Sequence, residues 1–211
     1  MKLLKKGSAT KSDVYISTLN NKIVIIKSFK NKYWFIKYTY GWLVLNREYK
    51  ILKRLKNIQG IPEIIDFNDF QLLETYIPGK SFATLYIEKK SLPASVFNII
   101  YKIVDEIHKR RIVHLDLRLS SNYLLGDDGL PYILDFNTCL YIPHLPIIGN
   151  LILNLLKKID YSGIIKMKYE FCPDAITEKE KILFQRISRF RLLWLFTPRG
   201  TDVVEKKECC H

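Results

Sequence analysis

Apolar residues come in short β-branched runs over the first eighty positions and then recur at helical spacing. Val14-Tyr-Ile and Ile23-Val-Ile-Ile-Lys27 flank the turn pair Asn20-Asn21, which predicts a β-hairpin. Between 42 and 56, Val44, Leu45, Ile51, Leu52 and Leu55 share one stripe, which predicts a helix. Glu48 lies inside that stripe, one turn from both Val44 and Leu52. A carboxylate on a buried face is costly without a cation, so a Lys or Arg partner is expected there. Gly60–Phe67 and Phe70–Gly79 read as two further strands of one antiparallel sheet, the second closing at Pro78-Gly79. Residues 93–111 carry Val96, Ile100, Ile103, Val104 and Ile107 at helical spacing, with Pro93 suited to the first turn. Asp127-Asp-Gly129 predicts a tight turn, and Pro131–Asp135 a returning strand. A last helix, 178–196, opens with the capping box Thr177-Glu-Lys-Glu180.

Composition changes this picture in one respect. The 211 residues are 48% hydrophobic, as a globular chain should be, but carry a net charge of +13. Such an excess calls for a polyanionic partner: nucleic acid, an anionic membrane surface or phosphorylated ligands. The basic residues are dispersed without a recognisable platform of stacking aromatics, so nucleic acid ranks last. Cys139, Cys172, Cys209 and Cys210 show no metal-ligand spacing and read as reduced thiols of a cytosolic protein. His211 beside the last pair reads as part of a frayed tail. Met1-Lys-Leu-Leu-Lys-Lys has no apolar segment behind its charges, so no secretory signal is expected. The apolar stretch 139–156 is cut by Pro143 and Pro146, and its unbroken part is half of the ~20 residues a membrane span needs.

The chemistry concentrates in His114-Leu-Asp-Leu-Arg-Leu-Ser-Ser-Asn122 and, beyond the turn, Ile133-Leu-Asp-Phe-Asn137. Two carboxylates, an amide and an arginine in this order suit phosphoryl transfer. Asp116 is the base candidate for a substrate hydroxyl, and Arg118 the basic residue for the transferred phosphate. Asn122 and Asp135 are the expected oxygen ligands for Mg²⁺. His114 stands where H-R-D has its histidine, and both readings of it are structural. Asn122 follows Asp116 by six positions rather than the usual five, and Asn137 stands where D-F-G has its glycine.

In the first third, Gly7 and Val14 match the ends of a kinase Gly-rich loop, with Ala9 and Ser12 at the other glycine positions. Lys27 ends a strand as in V-A-I-K. Lys37 in Trp34-Phe-Ile-Lys37 competes with it, and Lys27 is preferred because its strand is longer and more regular. Glu48 is then the partner of that lysine. In a kinase the strand at this point passes into the hinge whose backbone binds adenine, and Glu74 to Ile77, including Tyr76, would be that segment.

H-L-D-L-R-x-x-S-N with its extra residue, R-E ahead of an apolar L-K-x-L, and G-I-P resemble the lipopolysaccharide-kinase-like branch of the protein-kinase superfamily, related to the Kdo and heptose kinases and to the compact RIO-type kinases. The resemblance runs roughly from Gly7 to Lys166. It implies an α+β, two-lobed protein-kinase-like fold: residues 1–78 as a small antiparallel-sheet lobe and 79–211 as a compact, mostly helical one. It also implies ATP and Mg²⁺ as cofactors and a sugar, glycolipid or protein hydroxyl as acceptor, with the site carried by Lys27, Glu48, Asp116, Asn122 and Asp135. No A-P-E segment follows Asp135, which favours a glycolipid over a peptide. A compact Ser/Thr protein kinase and a nucleotide-binding pseudokinase remain as alternatives. The apolar stretch before Lys157-Lys158, Lys166-Met-Lys168 and the arginines of helix 178–196 suit either an anionic inner membrane face or a core with a solvated basic face, the second being preferred.

Overall fold

The computed structural model describes residues 1–190 apart from Ala9 and Asp69. Residues Arg191 and Trp194 of the last predicted helix, and Cys209, Cys210 and His211, lie outside the described residues.

The chain begins with β1 (Lys2–Lys5), β2 (Asp13–Leu19) and β3 (Lys22–Ser28). Asn20 and Asn21 both take positive φ, 47° and 61°, and join β2 to β3 in the expected two-residue turn, with Leu19 opposite Lys22. Next come a short turn α1 (Trp34–Ile36), a π-helical turn Lys37–Gly41 and α2 (Trp42–Arg54). With β4 (Ile64–Asn68) and β5 (Gln71–Thr75) the sheet has five antiparallel strands in the order β1-β2-β3-β5-β4. The apolar stripe of α2 packs onto it: Leu45, Ile51 and Leu52 join Phe29 and Leu72 in the core.

The segment holding Lys37 is helical, not a strand. β5 starts at Gln71, and Phe29 N–H already bonds to Phe70 C=O, so the chain beyond Ser28 has no strand left to pair with. Its backbone bonds locally instead, with Lys37 N–H donating to Tyr33 C=O at 2.9 Å.

After the sheet, β6 (Gly79–Ser81) pairs with β8 (Tyr123–Gly126) rather than with the first sheet. Gly79 is required here: at φ 153° a Cβ would sit 2.2 Å from Leu125 O. The rest is mostly helical: α3 (Phe82–Ile87), α4 (Ala94–Lys109), α5 (Ile148–Phe171) and α6 (Glu178–Phe190). Pro93 is the N-cap of α4, one position before the first turn. Between helices lie β7 (Ile112–Val113), β9 (Pro131–Ile133) beside β8, and β10 (Leu140–Tyr141) beside β7. The inner face of α4 (Phe97, Ile100, Val104) packs with Phe82, Tyr123 and Phe171. Thr177 and Glu180 close the capping box reciprocally, Thr177 N–H to Oε2 at 2.8 Å and Glu180 N–H to Oγ1 at 3.3 Å. This is the α+β, two-lobed architecture of a protein kinase, an antiparallel-sheet lobe over a helical one.

Candidate active site

β7 delivers the chain into the 114–122 loop, and the loop is held from several sides. His114 is fully buried, with Nε2 3.2 Å from Leu134 O and its ring edge-on to Phe136. Beneath it lies Asp160 of α5, also buried. Its Oδ2 accepts from His114 N–H at 2.8 Å and its Oδ1 from Leu115 N–H at 2.7 Å, while His108 Nε2 stands 2.9 Å from Oδ2. These bonds pin Leu115 in a left-handed conformation, φ 67°, which turns the next residue, Asp116, half-buried into the cleft. Asn122 donates to Asp116 O at 2.9 Å and to its Oδ2 at 3.1 Å. The extra residue between them is absorbed by a 3₁₀ turn, Ser120–Asn122. The loop rests on Gly163 of α5, where a Cβ would come 2.6 Å from Leu117 C.

The second acid follows β9. Asp135 takes φ 60° and ψ 78°, and its Oδ1 accepts from Asn137 N–H at 3.4 Å. The left-handed residue is therefore Asp135 and not Asn137, which lies in a 3₁₀ turn (Phe136–Thr138) with its carbonyl bonded by Arg47 of α2. Asn137 needs no glycine-like freedom in this conformation.

Lys27 and Glu48 meet across the small lobe. Lys27 Nζ lies 2.5 Å from Glu48 Oε1, which also accepts from Phe136 N–H at 3.2 Å. One carboxylate oxygen thus joins β3, α2 and the Asp135-Phe136 segment. A third group enters that the sequence reading did not place there. Glu74 in β5 is buried, its Oε1 3.1 Å from Lys27 Nζ, because β5 neighbours β3 with Glu74 opposite Ile25 and Leu72 opposite Lys27. Burial by itself would push the Lys27 ammonium down, but Glu48, Glu74 and Asp135 outweigh it and keep the lysine protonated. Burial pushes the Glu48 carboxyl up to about 8, with Glu74 and Asp135 adding to the effect and Lys27 opposing it. Glu48 Oε2 has no hydrogen-bond partner, so that oxygen is where a proton would sit.

These pieces surround a cleft of about 1350 Å³ between the lobes. Gly7, Val14, Lys27, Glu74, Tyr76, Asp116, Asn122 and Asp135 all line it, while Glu48 stands behind Lys27. Gly7 is needed where it is, since a Cβ would meet Lys11 O at 2.2 Å. Its N–H donates to Asp13 Oδ1 and its C=O accepts from Lys32 Nζ, which also pairs with Asp13 at 2.8 Å. The loop is thus stapled to the sheet by an ion pair rather than freed by glycines. In the expected hinge, Thr75 N–H is spent on Glu63 O at 2.9 Å and Tyr76 N–H reaches Ile23 O at 3.4 Å. Glu74 faces the cleft with its side chain instead of offering only its backbone.

Two lysine and arginine expectations separate here. The ammonium of Lys37 lies over the rings of Tyr38 and Phe70, away from Glu48. Arg118 is not among the cleft-lining residues. Its guanidinium lies over Phe184 of α6 and reaches Ser162 Oγ at 3.4 Å, because a flat cation stacks well on an aromatic face. The cation that reaches the loop backbone is Lys166, whose Nζ donates to Arg118 O at 3.2 Å.

Asp135 and Asn122 offer oxygen donors to the cleft. With its Nδ2 donating to Asp116, Asn122 keeps Oδ1 as an acceptor, and Asn137 Oδ1 is buried without a partner. An all-oxygen set of few protein ligands fits Mg²⁺, which completes its shell with water and phosphate. Among the described residues no cluster of three or more His, Cys, Asp or Glu is arranged to hold a metal.

Asp160 and Asp13 are the site residues that sequence reasoning missed, while Glu74 was expected at the hinge and not beside Lys27. Asp160 did carry a signal, as the sole acid in the stretch 136–169.

The fold and cleft together define a protein-kinase-like domain. Within that class, residues 15–146 match the RIO domain family, and the chain belongs to it. It is 28% identical over 149 residues to a bifunctional serine/threonine-protein kinase/NEDD4-like E3 ubiquitin-protein ligase of Dictyostelium discoideum, covering 64% of this chain and 8% of that protein. It is also 28% identical over 100 residues to serine/threonine-protein kinase C of a Synechocystis species, covering 43% of this chain and 19% of that protein. The chain therefore spans under a fifth of the length of either relative.

Proposed function

We propose that the chain is a phosphotransferase that moves the γ-phosphate of ATP to a hydroxyl, with residues 1–78 and 79–211 as its two lobes. The observation that carries this reading is the convergence on one cleft of Asp116, held by Asn122, Asp135, and a lysine fixed by a carboxylate from α2. Asp116 orients the acceptor hydroxyl and takes its proton as the oxygen bonds to γ-phosphorus. The bond from that phosphorus to the β–γ bridging oxygen breaks, and ADP leaves with the electron pair. Lys27 pairs with the nucleotide phosphates, with Glu48 and Glu74 holding its ammonium. Asn122 and Asp135 hold Mg²⁺, which offsets phosphate charge when bound. Val14, Ile25, Leu124 and Leu134, with the 74–77 segment, give the cleft an apolar lining suited to adenine.

The similarity to two serine/threonine-protein kinases supports a protein Ser or Thr hydroxyl as acceptor. A lipopolysaccharide or glycolipid sugar is the second reading, favoured by the absence of an A-P-E sequence after Asp135. Incubation with γ-labelled ATP and separation of protein from lipid products tests both. Asp116→Asn should lower turnover roughly 10²–10⁴-fold while nucleotide still binds. Asp135→Asn should abolish a Mg-ATP-dependent thermal shift. Unchanged turnover in the first variant, or an unchanged shift in the second, would remove that residue from the mechanism.

A further inference from the structure

We propose that the apolar surface flanking the cleft seats the protein on an anionic lipid membrane. The first part of this surface is the amino-terminal half of α5. Ile148, Leu151, Ile152 and Leu155 repeat at helical spacing and are 62%, 69%, 40% and 59% exposed. The turn before them adds Leu145 and Ile147. The helix spends its opposite face on the core, where Leu153 and Leu156 pack with Val113 and Ile142. It is apolar on both sides, and nothing among the described residues covers the outer one. Ile147 is the sharpest case. A β-branched residue at φ 61° is strained, yet its side chain is 82% exposed and gains no packing in return.

The second part lies on the small lobe. Trp34, Phe35, Tyr38, Trp42 and Leu43, around the π-helical turn, are each between 45% and 74% exposed. Leu43 of the second part lines the cleft, and so does Tyr141 of β10, four residues before Leu145 of the first, with the Arg54 guanidinium of α2 stacked 3.9 Å over the Tyr141 ring.

Charge decides the occupant. Between residues 14 and 62 the sole carboxylate is Glu48, and between 136 and 169 it is Asp160; both are buried. Neither part brings an acid to the surface, while Lys30, Arg47, Lys50, Lys53 and Lys158 are exposed in the same stretches. Two such faces would repel each other, which disfavours a second copy of the chain. The small-lobe part does expose rings, but the α5 ridge is purely aliphatic and offers none for a nucleic-acid base to stack on, so a nucleic acid would leave that half of the surface uncovered. An anionic bilayer fits every feature: aliphatic side chains enter the headgroup boundary, Trp and Tyr sit at headgroup level, and lysines meet lipid charge. The contact is peripheral, since no helix among the described residues is long and apolar enough to cross a membrane. This surface stands apart from the proposed chemistry and would place any acceptor at a lipid face within reach of the cleft.

The test is co-sedimentation of the full chain with phosphatidylcholine vesicles, with and without about one-third phosphatidylglycerol. Binding is expected to the anionic vesicles and to weaken as salt rises from about 0.1 to about 0.5 M. The double variant Leu151→Glu/Leu155→Glu should reduce binding at least about tenfold. Both positions are solvent-facing, so its thermal melting and its Mg-ATP thermal shift should match wild type, which keeps this result separate from nucleotide binding. Equal vesicle binding by the variant, or no wild-type binding, overturns the proposal. So does a wild-type dimer that the double variant dissolves, or a single-stranded RNA that displaces the protein from vesicles.

Discussion

Replacing Glu48 by Gln tests how the Lys27 cluster divides its charge. The glutamate is wholly buried, with Oε1 accepting from Lys27 and from Phe136 N–H and Oε2 lacking any partner. Glutamine keeps the Oε1 acceptor and puts an amide group where the partnerless oxygen was. Breaking a buried pair outright costs about 3–5 kcal/mol. Here Glu74 remains 3.1 Å from the ammonium, so the cost should fall to about 1–2 kcal/mol. The pH dependence is more diagnostic. In the unfolded chain Glu48 releases its proton near 4.5, whereas in the folded protein it holds it to about 8. Between those values the folded state carries the extra proton, so raising the pH removes stability, by at most about 1.4 kcal/mol per pH unit. The Gln variant lacks this dependence. Urea unfolding at pH 5.5, 6.5, 7.5 and 8.5 should therefore show the deficit of the variant shrinking, or reversing, as pH rises. A deficit that stays constant from pH 5.5 to 8.5 would mean Glu48 is ionised throughout, and would refute the assignment of the proton to its orphan oxygen.

Other residues give independent checks. Asp160→Ala strips acceptors from the His114 and Leu115 amides and from His108 in a buried site, so a loss of about 3–5 kcal/mol is expected in chemical denaturation; a loss under about 1 kcal/mol would contradict its place under the loop. Gly163→Ala presses a methyl group against the Leu117 backbone and should cost about 1–3 kcal/mol, with turnover falling more than nucleotide affinity because the displaced segment carries Asp116; equal effects on both would argue against a local shift.

How much of this was legible in the sequence differs by distance along the chain. The β2–β3 hairpin followed from Asn20-Asn21, α4 from the spacing of Val96 to Ile107, and the capping box from Thr177 and Glu180, because turn chemistry and helical periodicity act within a few residues. The demand of Glu48 for a cation was equally visible, since an acid inside an apolar stripe states its own need. What the sequence could not decide is which distant group answers. Glu74 reaches Lys27 only because β5 pairs with β3 in one register, and a shift of one residue would turn its carboxylate to the other face of the sheet. Lys37 lost the competition because β3 ran out of a partner strand, not because of its own surroundings in sequence. Asp160, forty-six residues beyond His114, supports the loop because α5 packs beneath it, and Arg118 turns to α6 for the face of Phe184. Local pattern set the elements and the residue types that can do the chemistry. The assignment of partners was left to tertiary packing, because buried charges are satisfied by whichever element the fold brings alongside.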